Sequence, residues 1–264
     1  MNNSLYILDD SPRFEWIELA SIDSTSNFVR NYHPAVPKEM TLVSTDFQTA
    51  GRGQVGNHWE SEQGKNLLFS LRLQPTDIDV RQQFILSQAM SLSICETLKE
   101  YTEEITIKWP NDIYWHDRKI CGFLVENFLT GRRIETCIIG VGVNINQDAF
   151  RSDAPNPVSL KQITGEETER VFILARIIER FTGYYRQIRN GRHEDIIRTY
   201  RQSLYRNTGF HPYTDSNGTF EAEIRDIEPD GHLILADKEG KLRRYAFKEV
   251  KCLIPTDHQS TIEL

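Results

Sequence analysis

Apolar positions along the chain follow two periods, and the switches between them mark out the elements. Residues 14–19, Phe14-Glu15-Trp16-Ile17-Glu18-Leu19, alternate as a strand does, and residues 41–48 and 66–73 carry the same strand signature. Asp23 or Ser24 is placed to cap a short helix through Asn27-Phe28-Val29-Arg30, because a short oxygen side chain accepts the orphan N–H groups of a first turn. Over residues 80–101 the period lengthens, with Phe84, Gln88, Cys95 and Leu98 at helical spacing, which predicts a helix backing the sheet. Strands are then expected at 105–109, 113–115, 119–126 and 134–146, with hairpin turns at His116-Asp117-Arg118 and Thr130-Gly131-Arg132, so the sheet is mixed or largely antiparallel. Helical spacing returns at 169–189 and 193–205.

Two stretches lack either period. Residues 49–65 hold Gly51, Gly53, Gly56 and Gly64, and residues 147–157 hold Pro155 and Pro157, so both read as loops. From Gly209 onward short strands are separated by Asp215-Ser216-Asn217-Gly218, Pro229-Asp230-Gly231 and Lys238-Glu239-Gly240, as in a small barrel or sandwich. The expected fold class is therefore α/β (α+β), with a larger domain over 1–208 and a small β domain over 209–264. No internal repeat or low-complexity tract is present.

A chain of 264 residues suits one large domain and one small one. Its net charge of −7 gives no general attraction to nucleic acid. The first ten residues have no cationic start followed by a long apolar stretch, and no apolar run is long enough to cross a bilayer. Cys95, Cys121, Cys137 and Cys252 are scattered without Cys-x-x-Cys spacing, which fits reduced, buried thiols in a cytoplasmic protein.

The chemistry concentrates in two places. Lys108-Trp109-Pro110-Asn111-Asp112 and the nearby Arg118-Lys119-Ile120-Cys121-Gly122 put more charge on a strand and hairpin than a buried strand normally carries. Pro110 removes a ladder donor, so Asn111 and Asp112 belong at a strand end or bulge. Upstream, Gly51-Arg52-Gly53-Gln54-Val55-Gly56-Asn57 offers backbone N–H groups and a guanidinium to an anion. Taken alone, a Gly-x-Gly is more often a surface turn, and a hairpin lysine is more often solvated. Together the two segments point to a phosphate-bearing substrate.

In their order, and with Asp23-Ser24-Thr25-Ser26-Asn27, Gln48, Trp59, the run Ile139-Gly140-Val141-Gly142-Val143-Asn144-Ile145-Asn146 and Pro157-Val158-Ser159-Leu160, these segments resemble the catalytic domain of biotin protein ligases. The resemblance spans roughly residues 14 to 205 and implies a class II synthetase-like sheet followed by an SH3-like β domain. It implies activation of biotin with Mg-ATP as biotinyl-5′-AMP, release of pyrophosphate, and transfer to a lysine of a biotin carboxyl carrier protein. Some members add an N-terminal DNA-binding domain. Here the first core strand starts almost at once, so none is expected, and a homodimer is compatible with the sequence.

Residue by residue, the resemblance implies that Arg52 holds the carboxylate and phosphate through its planar fork, and that Lys119 contacts the α-phosphate or the biotin carboxylate. Lys108 stays open between a phosphate contact and a structural ion pair. Asp112 stays open among orienting the lysine amine, accepting its proton and placing Mg²⁺. Ser24, Thr25, Ser26 and Gln48 match the biotin-binding positions; Gly51, Gly53, Gln54 and Gly56 lie in the loop that approaches the ligand, and Gly122 leaves room for the ring. Trp59 offers a flat face for adenine, while Asn57, Asn111 and Asn144 complete the nucleotide set. Many members carry arginine where this chain has Gln54 and Asn57, so fewer cations face the phosphates. A lipoate or octanoate transferase and a non-enzymatic adenylate-binding regulator are the alternative readings.

Overall fold

The computed structural model describes residues 14–36, 38–53, 58–152 and 156–254. Its larger sheet has seven strands: β1 (Phe14–Leu19), β2 (Met40–Thr45), β3 (Leu67–Leu73), β4 (Ile105–Lys108), β5 (Asp112–Trp115), β6 (Arg118–Thr130) and β7 (Arg133–Val143). The spatial order is β1-β2-β3-β7-β6-β5-β4, with β1 and β2 parallel and every other pair antiparallel. The parallel pair is made possible by α1 (Thr25–Asn31), which lies in the connection between β1 and β2.

One face of this sheet carries Leu42, Phe69, Leu71, Ile107, Ile113, Cys121, Ile139, Val141 and Val143, all buried in a single apolar core. The helices α2 (Phe84–Leu98), α4 (Arg170–Arg189) and α5 (His193–Gln202) supply much of the rest of that core. Because α2 is enclosed by sheet and helices, thirteen of its residues are buried and its apolar stripe is blurred by serines. Ser93 and Thr97 satisfy their hydroxyls by donating to Ala89 and Ser93 carbonyls, each at 2.7 Å. The opposite face meets α1, where Val29, Val43 and Ile138 form a smaller cluster.

Several boundaries differ from the sequence reading. The region 80–101 is a 3₁₀ turn over Val80–Gln82 capped by Asp79, then α2, because the Asp79 side chain accepts from the Arg81 N–H at 2.9 Å and starts a separate turn. A short helix, α3 (Leu160–Thr164), follows the second loop; its signal was the capping box of Ser159 with Gln162, closed by Gly165 in the left-handed region at φ 81°. Ser24 is the N-cap of α1 by backbone geometry but makes no side-chain cap; Gln48 Oε1 instead accepts the Thr25 N–H at 2.8 Å. Strand β6 continues to Thr130, and β7 ends at Val143 where Asn144 turns to bond Ile120.

The second sheet is antiparallel, in the order β11-β10-β9-β8-β12, built from β8 (His211–Asp215), β9 (Gly218–Ile227), β10 (Leu233–Asp237), β11 (Leu242–Tyr245) and β12 (Lys251–Cys252). Its turns fall at the anticipated Gly218, Gly231 and Gly240. Leu233, Leu235, Tyr213 and Tyr245 belong to the same apolar core as α2 and α5. Trp109 Nε1 ties the sheets together by donating to the Gly231 carbonyl at 3.0 Å. Among the described residues, no helix is long and apolar enough to cross a membrane.

Candidate active site

Cross-strand register fixes where the site lies, since directly paired residues point to one face of a sheet. One row of partners runs Leu68, Gly142, Gly122, Asp112, Lys108, and the neighbouring row runs Val43, Ser70, Gly140, Leu124. Val43 packs against α1, so both rows face the α1 side. On the core face the same strands are apolar; on this face glycines leave a trough. A Cβ on Gly142 would lie 2.3 Å from Trp59 Cε2, and one on Gly140 would lie 2.4 Å from Ser26 Oγ. Trp59 and Ser26 can therefore lie directly against this face only because these positions lack side chains.

Lys119 reaches this trough through a β-bulge. Ile113 pairs with Cys121 and Tyr114 with Lys119, which leaves Ile120 as the extra residue. Strict alternation would put Lys119 on the core face with Cys121. The bulge turns it to the face of Asp112, and its Nζ sits 2.7 Å from Asp112 Oδ1. The same ammonium lies 5.9 Å from the centroid of a Trp59 ring. Its backbone is held outside the sheet as well, donating to Asn156 O at 2.8 Å and accepting from Val158 N–H at 2.9 Å.

Across the trough, Gln48 Oε1 accepts from both the N–H and the hydroxyl of Thr25, at 2.8 and 3.1 Å. Ser70, fully buried in β3, lies 2.8 Å from Thr25 Oγ1 and 2.9 Å from Ser26 Oγ. The result is a small hydroxyl and amide cluster able to meet a polar group on a mainly apolar ligand. Arg52 Nη2 lies 3.5 Å from Glu126 Oε2, and Glu126 Oε1 also pairs with Arg30 at 2.5 Å. Each trough cation thus faces a carboxylate, which an incoming anion would have to displace.

One cleft gathers Ser24, Thr25, Ser26, Gln48, Arg52, Gly53, Trp59, Asn111, Asp112, Lys119 and Gly122. Gly51 is buried at its edge, its carbonyl accepting the Trp59 N–H at 3.1 Å. Asn111 Nδ2 donates to Phe123 O, and Phe123 N–H returns to Asn111 O at 3.2 Å, which fixes the end of β5 against β6. Lys108 stands one strand beyond Asp112, with its Nζ over the Tyr114 ring at 5.3 Å, and lines a separate cavity beside β12. Asn144 is buried and donates from Nδ2 to Val158 O at 3.1 Å, so it orders the second loop rather than lining the cleft. Gln54, Gly56 and Asn57 lie outside the described residues.

Sequence reasoning gave no role to Ser70, Glu126, Gly140 or Gly142. Ser70 had a signal, being the one hydroxyl in an otherwise apolar run, and the glycines were spaced by two on one strand face. Burial raises the thiols of Cys121 and Cys137 far above the usual range and Cys95 to about 11, so none of these is poised as a nucleophile.

Residues 18–144 match the profile of the biotin/lipoate A/B protein ligase family. The bifunctional ligase/repressor BirA of Bacillus subtilis is 31% identical over 235 residues, covering 86% of this chain and 70% of that protein. A biotin–acetyl-CoA-carboxylase ligase of Paracoccus denitrificans is 26% identical over 243 residues, covering 84% of this chain and 95% of the relative. In fold, the chain resembles the biotin protein ligase of Aquifex aeolicus in complex with biotin and ATP, with a TM-score of 0.75 at 24% identity, covering 91% of this chain and 99% of that one.

Proposed function

The chain belongs to the biotin/lipoate A/B protein ligase family and is a biotin protein ligase, and from that premise we propose that the glycine-floored cleft joins biotin to AMP and then passes the acyl group to a carrier lysine. In the first step a carboxylate oxygen of biotin attacks the α-phosphorus of ATP, the bond to pyrophosphate breaks, and biotinyl-5′-AMP forms. In the second, the lysine nitrogen attacks the acyl carbon, AMP leaves with the C–O electron pair, and the nitrogen gives up a proton. The carrier is a biotin carboxyl carrier domain of a carboxylase, by analogy with the Paracoccus relative.

Lys119 and Arg52 are the cations for this chemistry. Lys119, released from Asp112 by the ligand's own negative charge, stabilises charge developing at the α-phosphate; Arg52, released from Glu126, grips the carboxylate and phosphate oxygens. Thr25, Ser26 and Gln48, with Ser24 beside them, meet the polar end of biotin. Gly122, expected to leave room for the ring, instead makes room for Lys119 and Trp59, whose atoms would lie 2.9 and 3.2 Å from a Cβ there. Trp59, Asn111 and Gly53 flank the nucleotide, and Asn144 serves it indirectly by holding the second loop. Freed of Lys119, Asp112 is the acceptor nearest to hand for the carrier amine's proton. Lys108 acts from outside the cleft, as a structural cation against Tyr114. Gln54, for biotin, and Gly56 and Asn57, for the nucleotide, keep the roles that the sequence resemblance implies.

Magnesium fits this donor set. The cleft offers the Asp112 carboxylate among its lining residues, and Mg²⁺ commonly takes one or two carboxylates together with substrate phosphates. Asp112 would hold the ion in the first step, where the ion would neutralise triphosphate charge, and act as the amine's proton acceptor only in the second. Residues 209–264 form the second domain in this reading, separate from the biotin pocket, and the protein acts in the cytoplasm.

The observation that carries the proposal is the meeting of Lys119, Asp112 and Arg52 with the Thr25–Gln48 cluster in one cleft. Purified protein given biotin, Mg-ATP and a carrier domain should release pyrophosphate and add the mass of biotin to one carrier lysine. ADP with phosphate, or labelling with lipoate or octanoate in place of biotin, would refute it. Adenylate binding without transfer would favour a regulator.

A further inference from the structure

Glu60 follows Trp59 in the chain and reaches across to the second loop. Its Oε1 accepts the Arg151 N–H at 2.8 Å and its Oε2 accepts the same N–H at 3.1 Å and the Ser152 N–H at 2.7 Å. Gln147 Nε2 adds a contact to Oε1 at 3.3 Å. Gln147, itself buried, also bonds back, its Oε1 accepting from Glu62 N–H at 3.0 Å and from Asn66 Nδ2 at 2.5 Å. Two consecutive amides aimed at one carboxylate form an anion-holding turn, and hydrogen bonds to an ionised acceptor are the stronger kind. Burial by itself would raise the Glu60 carboxyl, but the hydrogen bonds from Ser152 and Arg151 outweigh it and keep the group below the usual carboxylate range.

What gives this tie a consequence is where each end leads. On one side it adjoins Trp59, whose indole lies on the trough floor, and the Arg52 segment, joined to it through the bridge of Arg52 with His58. On the other side, Gln147 begins the second loop beside Asp148, whose carbonyl accepts from Gln162 Nε2 at 2.8 Å, and Gln162 Oε1 accepts the Ser159 N–H at 3.0 Å next to residues 156–158, which hold the backbone of Lys119. Arg118 reinforces that edge by donating to Pro157 O at 2.9 Å. Residues that touch the ligand from two chain-distant segments are thereby linked through a side chain that lines none of the cleft.

We infer that Glu60 is a positioning residue that locks the Arg52–Trp59 segment to the loop leading to Lys119, so that the two segments hold the acyl-adenylate together. The inference rests on the adenylating function proposed above and adds control over how long the intermediate stays bound. Lys119 keeps its own supports, the bulge and Asp112, so formation of the adenylate depends little on Glu60. Retention depends on both segments at once. Glu60→Gln keeps a carbonyl acceptor without charge, and Glu60→Ala removes the tie.

The test is a single turnover of the full chain with biotin and Mg-ATP and no carrier, separating bound from released acyl-adenylate. Glu60→Ala should release it about tenfold faster, the scale of one charge-assisted hydrogen bond, with formation slowed less than about threefold and Glu60→Gln falling between the two. Hydrogen exchange on the unliganded protein should show faster exchange at the Arg151 and Ser152 amides in Glu60→Ala. Release and exchange at wild-type rates in a folded variant would overturn the inference; if the alanine variant does not fold, the glutamine variant decides by the same two rates. Should wild type form no adenylate, the proposed function fails, while the exchange measurement still judges the tie.

Discussion

Lys119 and Asp112 meet across neighbouring strands, Nζ to Oδ1 at 2.7 Å, only because the extra residue Ile120 turns Lys119 away from the core. The pair keeps the Lys119 ammonium compensated in a partly enclosed cleft, available to the phosphate that the proposed reaction would bring to it. Lys119→Ala should slow formation of biotinyl-5′-AMP roughly 100-fold, about 3 kcal/mol of barrier, while carrier docking is little changed. Rapid-quench measurement of the adenylate burst checks this. An undiminished burst would return Lys119 to a solvated hairpin role.

Gly142 and Trp59 are matched in shape, the indole filling the space that a side chain at 142 would occupy. Gly142→Ala should push the ring off the floor, since a Cβ 2.3 Å from Cε2 and 2.6 Å from Nε1 cannot be accommodated by small shifts of a rigid indole. Ligand affinity should fall by about tenfold or more, equivalent to about 1.4 kcal/mol, with a change in tryptophan fluorescence of the free protein. Native affinity and fluorescence in the variant would show that the floor tolerates a methyl group.

The fold and the site were unequally legible in the sequence. Alternation on β1, β3 and β4 and turn glycines in the second sheet marked elements because one face of each strand is apolar and each turn needs its own residue chemistry. The enclosed helix α2 was readable only as apolar spacing interrupted by serines, so its separate 3₁₀ start went unseen. Charged motifs announced Arg52, Asp112 and Lys119. Ser70 stood out as a lone hydroxyl, but its partners, like those of Glu126 and Glu60, were hidden because they lie 44 or more residues away. No local pattern encodes such a pairing.

Ser70 supplies a case where that hidden register becomes measurable. Its hydroxyl sits between Thr25 Oγ1 and Ser26 Oγ, and Ser70→Ala would leave both with one partner fewer beside the proposed biotin site. A hydrogen bond of this kind contributes about 1 kcal/mol, so biotin should bind roughly fivefold more weakly, with little change in the Michaelis constant for ATP. Calorimetric titration with biotin checks the first effect. Equal affinity would mean that the hydroxyl cluster serves the fold alone.

Asp237 predicts how the second sheet responds to acid. The aspartate is buried, which alone would raise its pKa, but backbone N–H groups of Lys241 and Glu239 and the Arg243 guanidinium outweigh that and hold the carboxyl below its ordinary value of 3.8. A folded value below the unfolded one means that the stabilisation is fully present above the unfolded value. It is lost as pH falls past that value and then through the lowered folded one. Asp237→Asn should therefore be less stable than wild type at neutral pH, and its melting temperature should fall less steeply below the ordinary aspartate range. Melting curves of both proteins over an acid series provide the comparison, and parallel acid limbs would show that Asp237 is not the group whose protonation loosens this sheet.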